Sequence, residues 1–294
     1  MDGYADLKQG EKGAWVSIAA YILLSVFKVG AGFYFASEAL TADGMNNMSD
    51  VFVSVAVLIG LRIAQKPPDT DHPYGHFKAE TIAALIASVV MAGVAVNVLW
   101  GAMQSLFAGE RPAPDLKAGW IAIAAAIAMF AVYMYNRKLA EKLDSQALHA
   151  AAHDNRSDAF VSIGAAVGIF GSQLGLPWLD PLAAVAVSIV IGKTAWDIFK
   201  SSTHALTDGF EEDKLDGLRA TIGRTPGVTY TKDIRARVYG SWVLLDVIVE
   251  VDPNLNVIES HGISEHIEKR LKAKHKIMEV HVHIEPGDVP ERTP

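Results

Sequence analysis

From Ala14 to Ser202 the apolar residues of this chain run in long blocks, and from about Asp208 onward apolar and charged positions are closely mixed. A helix crossing about 30 Å of hydrocarbon needs roughly 20 mostly apolar residues. Six stretches meet that need: Ala14 to Ser37, Ala39 to Ala64, Thr81 to Phe107, Ala118 to Tyr135, Ser145 to Phe170 and Pro177 to Phe199. The third has no charged residue, whereas the second and fifth carry carboxylates. The pattern predicts an all-α, six-span transmembrane domain over residues 1–207 and a second domain over 208–294.

In the second domain, Glu211 to Ile222 reads as a helix, and Tyr230 to Val238 and Trp242 to Val251 read as strands with Tyr239, Gly240 and Ser241 turning between them. A helix from Val257 to Lys274 and a strand from Lys276 to Glu285 complete an αββαβ order. That order predicts a small ferredoxin-like α+β domain.

Lys and Arg in the short connections set orientation. Lys66 and Lys78 flank the second connection, Arg137, Lys138 and Lys142 lie in the fourth, and the fifth, Gly171 to Leu176, has none; Arg111 and Lys117 in the third dissent. The majority places both termini and the second domain in the cytoplasm. Lys28 lies inside the first span, and the expectation is that its long stem carries the ammonium to an interface or cavity.

Composition narrows the chemistry. The 294 residues are 51% hydrophobic, carry a formal charge of −7 and include no cysteine. Thiolate is therefore excluded as a metal ligand, and the acidic balance argues against a nucleic-acid partner. No nucleophile elbow, phosphate-binding glycine loop or zinc-protease helix is present, which argues against an enzyme.

The second and fifth spans contain an internal repeat. Asn46-Asn47-Met48-Ser49-Asp50-Val51-Phe52-Val53-Ser54 aligns with Asp154-Asn155-Arg156-Ser157-Asp158-Ala159-Phe160-Val161-Ser162, with six of nine positions identical. In each copy two oxygen-bearing residues stand four apart, on one helical face. Asn46, Asp50, Asp154 and Asp158 then offer four ligands to a cation. Intramembrane carboxylates are costly unless they face water or hold an ion, and three together repel unless a cation or protons relieve them. Metal and proton would compete at such a place, coupling export to the inward proton gradient as helices rock about the site. Asp43, three residues before Asn46, either lines the exit or caps the start of the second span.

These paired residues, the stretch Asp69-Thr70-Asp71-His72-Pro73-Tyr74-Gly75-His76-Phe77-Lys78-Ala79-Glu80, and the six-span plus cytoplasmic-domain layout resemble the cation diffusion facilitator family. The resemblance implies a homodimer in a lipid bilayer that exchanges a divalent metal for protons at a site on spans two and five. Zinc members usually carry His at the position of Asp154; an Asn with three Asp is similar to the manganese branch. Oxygen ligands favour the same metal, since Zn²⁺ prefers nitrogen and sulfur. The resemblance also implies a second metal at Asp69, His72 and His76, for which Pro73 and Gly75 rule out a regular helix. It implies an interface pair, Lys78 with Asp208. In the cytoplasmic domain it implies a regulatory metal near His261, His283 and Glu285. Because Lys232 and Ile248 occupy places where a two-metal version has His, one weaker site is expected rather than two, and Asp246 could join it.

The resulting expectation is proton-coupled Mn²⁺ efflux from the cytoplasm across a prokaryotic plasma membrane, with no cofactor beyond bound divalent metal. Zn²⁺ or Fe²⁺ efflux is the near alternative. A passive cation channel and a membrane-tethered metal sensor are the alternatives of different class.

Overall fold

The computed structural model describes residues 2–107, 113–143, 146–240, 242–275 and 277–287. Arg111, Ser145, Ser241 and Lys276, used in the sequence reading, lie outside them. Six long helices come first: α1 (Asp2–Tyr34), α2 (Glu38–Ala64), α3 (Lys78–Phe107), α4 (Leu116–Leu143), α5 (Gln146–Gln173) and α6 (Leu179–Leu206). They are followed by α7 (Glu212–Gly223), β1 (Tyr230–Tyr239), β2 (Trp242–Val251), α8 (Val257–Lys274) and β3 (Ile277–Pro286). Helix α1 starts twelve residues before the predicted first span, because the charged lead-in Asp2 to Gly13 continues the helix.

By length and composition, five helices among the described residues can cross a membrane: Trp15–Tyr34, Glu38–Ala64, Lys78–Phe107, Leu116–Lys142 and Leu179–Leu206. The fifth predicted stretch falls on α5, which has 28 residues but carries Asp154, Arg156 and Asp158 and is less apolar than those five. The helices are apolar on their outward faces: Leu23, Val26, Val96, Trp100, Ile127 and Val167 are all exposed. Inward, they pack through small residues. Ala42 of α2 meets Met91, Ala95 and Ala102 of α3 and Ala184, Ile191 and Ala195 of α6. A second cluster joins Ala39 and Leu40 of α2 to Ala118 and Ala122 of α4 and Ala165, Ala166 and Ile169 of α5. Small side chains let helix backbones approach closely, which is how helices associate when lipid is as apolar as leucine.

The turn between α1 and α2 is only three residues long, with Ala36 in the left-handed region at φ +53. The start of α2 is capped from another helix: Asp180 of α6 accepts from the Ser37 hydroxyl and from the Glu38 backbone N–H, both at 2.7 Å. A carboxylate there satisfies amide groups left open at a helix N-terminus and complements the helix dipole.

The chain divides into two compact units: residues up to Leu58 with Ile86–Phe199, and Ile59–Leu85 with Lys200 onward. In the second unit β1 pairs antiparallel with β2, and β2 pairs parallel with β3 after the α8 crossover, giving the sheet order β1-β2-β3. This is the predicted ferredoxin-like αββαβ arrangement. Gly240 turns the hairpin at φ +64, and Asn256 with Glu259 forms a capping box on α8. Leu218, Ile222, Leu245, Val247, Val249, Ile263, Ile267 and Leu271 form its core. The connection before α3 belongs to this unit because it docks on the hairpin. Tyr239 donates its hydroxyl to the Gly75 carbonyl at 3.2 Å, and the Phe77 and Tyr239 rings lie 5.8 Å apart.

Candidate metal centre

Asn46 and Asp50 stand one turn apart on α2, and Asp154 and Asp158 one turn apart on α5. Asn46 donates its amide N–H to Asp158 Oδ1 at 2.9 Å, so the two helices meet through the predicted ligands. Both residues are buried, and Asp50 is half-buried with Oδ2 lacking a hydrogen-bond partner. Asp50 lies within electrostatic reach of both Asp158 and Asp154. Asp154 is the exposed member, and no hydrogen bond among the described residues joins it to the other three. Asp50, Asp154 and Asp158 do not bring one oxygen each within 4.8 Å of one another, since among the described residues only Asp69, His72 and His76 do so; the structure joins α2 to α5 at Asn46 and Asp158 and leaves Asp154 apart. A cation shared by all four would draw the carboxylates together, with Asn46 turning its carbonyl oxygen toward the metal in place of its bond to Asp158.

Sequence reasoning missed the groups behind these residues. Tyr21 of α1 donates its hydroxyl to Asp158 Oδ2 at 2.9 Å, so each oxygen of Asp158 has a neutral donor. Asn155 donates to the Tyr21 oxygen at 2.8 Å and accepts from Ser17 at 3.1 Å and from Asn136 of α4 at 2.9 Å. Asn136 also donates to Ser17 Oγ at 2.7 Å. The repeat held a signal for this network: Asn47 and Asn155 are identical in both copies, and a neighbour of the ligand column points about 100° away from it. Both asparagines face α1. Asn155 takes Ser17 and Tyr21, and Asn47 accepts from Lys28 at 2.7 Å.

Two expectations on this unit are corrected. Lys28 does not reach an interface or cavity; it is fully buried, because three oxygen atoms surround its ammonium. Asp43 neither caps α2 nor lines an open exit. Helix α2 begins five residues earlier at Glu38, and Asp43 is fully buried with Oδ2 2.9 Å from Lys28 Nζ.

The second-connection loop brings Asp69, His72 and His76 together, with one ligand atom from each within 4.8 Å of the others. Asp69 Oδ1 lies 3.1 Å from His72 Nδ1, and Oδ2 lies 3.4 Å from His76 Nε2. The His72 backbone N–H, 2.7 Å from Asp69 Oδ1, is the main cause holding that carboxyl below its ordinary range, with the two imidazoles adding to it. Gly75 at φ +85 makes the turn that returns His76 to Asp69.

The cytoplasmic-domain set is not brought together within the chain. Asp246 stands opposite His281 in the β2–β3 register, whereas Glu285 stands opposite Glu250, four residues further along. At about 3.3 Å per residue that separates Asp246 from Glu285 by roughly 13 Å along the strands. Asp246 lies 3.9 Å from His281, His283 lies 3.7 Å from Glu285, and His261 of α8 lies 3.7 Å from Glu265. Glu285 is bound instead by Lys232 at 2.5 Å, and that hydrogen bond holds its carboxyl below the ordinary range. Lys78 and Asp208, expected across an interface, meet at 3.1 Å within the one chain.

The cation efflux transmembrane domain family matches residues 14–207, and the cytoplasmic domain family of cation efflux proteins matches 210–287. The chain belongs to the cation efflux family. Manganese efflux system protein MneS of Bacillus subtilis is 54% identical to it over 286 residues, covering 97% of this chain and 99% of that protein. Manganese efflux system protein MneP of the same organism is 32% identical over 284 residues, covering 94% and 95%. As a cation efflux protein the chain is a transporter rather than an enzyme, and it moves metal cations across a membrane.

Proposed function

We propose that the chain is a homodimeric Mn²⁺/H⁺ antiporter of the plasma membrane with cytoplasmic termini. Its six long helices all span, and Asn46, Asp50, Asp154 and Asp158 hold the cargo. The observation that carries this reading is the meeting of α2 and α5 through Asn46 and Asp158, with Asp50 in electrostatic reach of both aspartates of α5. An all-oxygen donor set without imidazole or thiolate suits Mn²⁺ better than Zn²⁺, and two relatives over nearly the whole chain are manganese efflux proteins. Buried carboxylates in electrostatic reach of one another take up protons when no cation is present, which gives returning protons a place to bind. The loop cluster of Asp69, His72 and His76 takes a structural or regulatory metal rather than cargo.

The test is Mn²⁺-driven proton flux in proteoliposomes. Asp50→Ala or Asp158→Ala abolishes it while leaving the dimer intact by size-exclusion chromatography. Undiminished flux in either variant rejects the site. Flux at channel rates without proton counterflow would point to a passive pore.

A further inference from the structure

Lys28 and Asp43 are fully buried charges that the transport chemistry above does not use. Lys28 projects from α1, and its ammonium hydrogen bonds to Asn47 Oδ1 of α2 at 2.7 Å and to Ser162 Oγ of α5 at 2.8 Å. It meets Asp43 Oδ2 by charge at 2.9 Å. Asn47 and Ser162 are themselves buried, so α1, α2 and α5 converge on one nitrogen. Neither oxygen of Asp43 has a hydrogen-bond donor among the described residues. The ammonium is thus what balances this carboxylate, and an uncompensated charge at such depth is very unfavourable.

The pair lies beside the cation site. Asp43 is three residues before Asn46 on α2, and Ser162 is four residues after Asp158 on α5. Lys28 is close enough for its charge to act on both Asp50 and Asp158, and Asp43 acts on Asp158 with opposite sign. In the intact pair these influences oppose each other. Removing either partner leaves a full unit charge about one helical turn, roughly 5.4 Å along α2 and α5, from the nearest residues of the quartet. Even at the permittivity of bulk water, about 80, such a charge changes cation binding by about tenfold, and by more at lower permittivity.

We propose that Lys28 and Asp43 form a charge-neutral pair that positions α1 against the two transport helices and sets the affinity of the adjacent cation site. This rests on the quartet being the transport site. A bare ammonium beside the quartet repels Mn²⁺, and a bare carboxylate holds it and slows its release.

The experiment is initial-rate Mn²⁺ uptake by the full-length protein in proteoliposomes, comparing Asp43→Asn, Lys28→Met and the double variant, with Asp50→Asn as a site control and thermal unfolding of each. Asp43→Asn raises KM by about tenfold or more. Lys28→Met lowers KM and Vmax together. The double variant returns KM to within about threefold of the unmodified protein, where two lost structural contacts would accumulate. If Lys28→Met does not fold, Asp43→Asn against the double variant still decides, because adding Lys28→Met must reverse the rise in KM. A KM for Asp43→Asn within twofold of the unmodified protein, or a double variant no closer to it than Asp43→Asn, overturns the proposal. Asp50→Asn with full uptake overturns the site reading itself; Asp50→Asn inactive with no opposed KM shifts overturns the pair alone.

Discussion

Tyr21 of α1 donates its hydroxyl to Asp158 Oδ2 at 2.9 Å and is in turn held by Asn155 at 2.8 Å. A carboxylate that must catch and release a cation gains from a fixed outer donor, since groups behind metal ligands orient them and their loss costs about 10- to 100-fold in affinity. Tyr21→Phe keeps the ring that packs with Leu24, Ala125 and Met129 and removes the donor to Asp158 together with the acceptor of Asn155. It leaves an unsatisfied amide at buried Asn155, which destabilises by about 1–3 kcal/mol and lowers the unfolding temperature, and it lowers Mn²⁺ affinity by about 10- to 100-fold. Calorimetric titration measures this, and an unchanged dissociation constant would exclude the role.

The helices were legible because each apolar block is long, and the ligand pairs because the repeat aligns chemically specific residues in both copies. The cytoplasmic strands were legible from alternation over a single core. What pairs with a buried polar group was not. Ser17, Tyr21 and Asn136 are isolated polar positions in apolar helices, and only the packing of α1, α4 and α5 makes them one network. Lys28 was misjudged because a long stem usually escapes to water, whereas here three oxygens from two helices meet it inside. The residues of the cytoplasmic-domain site were legible as ligand types, but register sets Asp246 four residues from Glu285, and register is a tertiary property.

Asp154 is the exposed member of the quartet, one turn before buried Asp158 on α5, so a substitution there disturbs packing least. Asp154→His replaces an oxygen donor by imidazole, which favours Zn²⁺ over Mn²⁺. The ratio of Zn²⁺ to Mn²⁺ affinity rises by about tenfold or more, read by competition titration of the two metals at equal free concentration. A constant ratio would show that this position does not touch the cargo.

Lys232 occupies Glu285 and keeps its carboxyl charged below the ordinary glutamate range. A lowered native value means that the contribution of this pairing is present above the unfolded-state range and disappears as pH falls through the lowered one. Lys232→Ala therefore moves the Glu285 titration upward, toward ordinary glutamate behaviour, in a carboxyl NMR titration. It also frees the carboxylate beside His283, so in an Asp50→Ala background, where cargo binding is removed, the variant binds more divalent metal than its Lys232 parent. Equal binding in both would show that Lys232 does not compete with metal there.

The approach of α1 to α2 that delivers Lys28 to Asp43 depends on the absence of side chains. A Cβ at Gly44 would stand 2.7 Å from the Val29 backbone nitrogen and 2.9 Å from Lys28 Cβ, and one at Gly32 would stand 2.7 Å from the Thr41 backbone nitrogen. Both contacts involve backbone or the root of a side chain, so relief requires α1 to move away as a whole. Gly30, on the same helix, has nothing within 4 Å of the equivalent point. Gly44→Ala therefore destabilises by about 1–3 kcal/mol, seen as a lower Tm in detergent, whereas Gly30→Ala leaves Tm unchanged or raises it through helix propensity. Because the displaced helix also carries Tyr21, Gly44→Ala weakens Mn²⁺ binding as well, although it touches no ligand. A Gly44→Ala protein as stable and as tight for Mn²⁺ as the Gly30→Ala control would show that α1 is not seated through this contact.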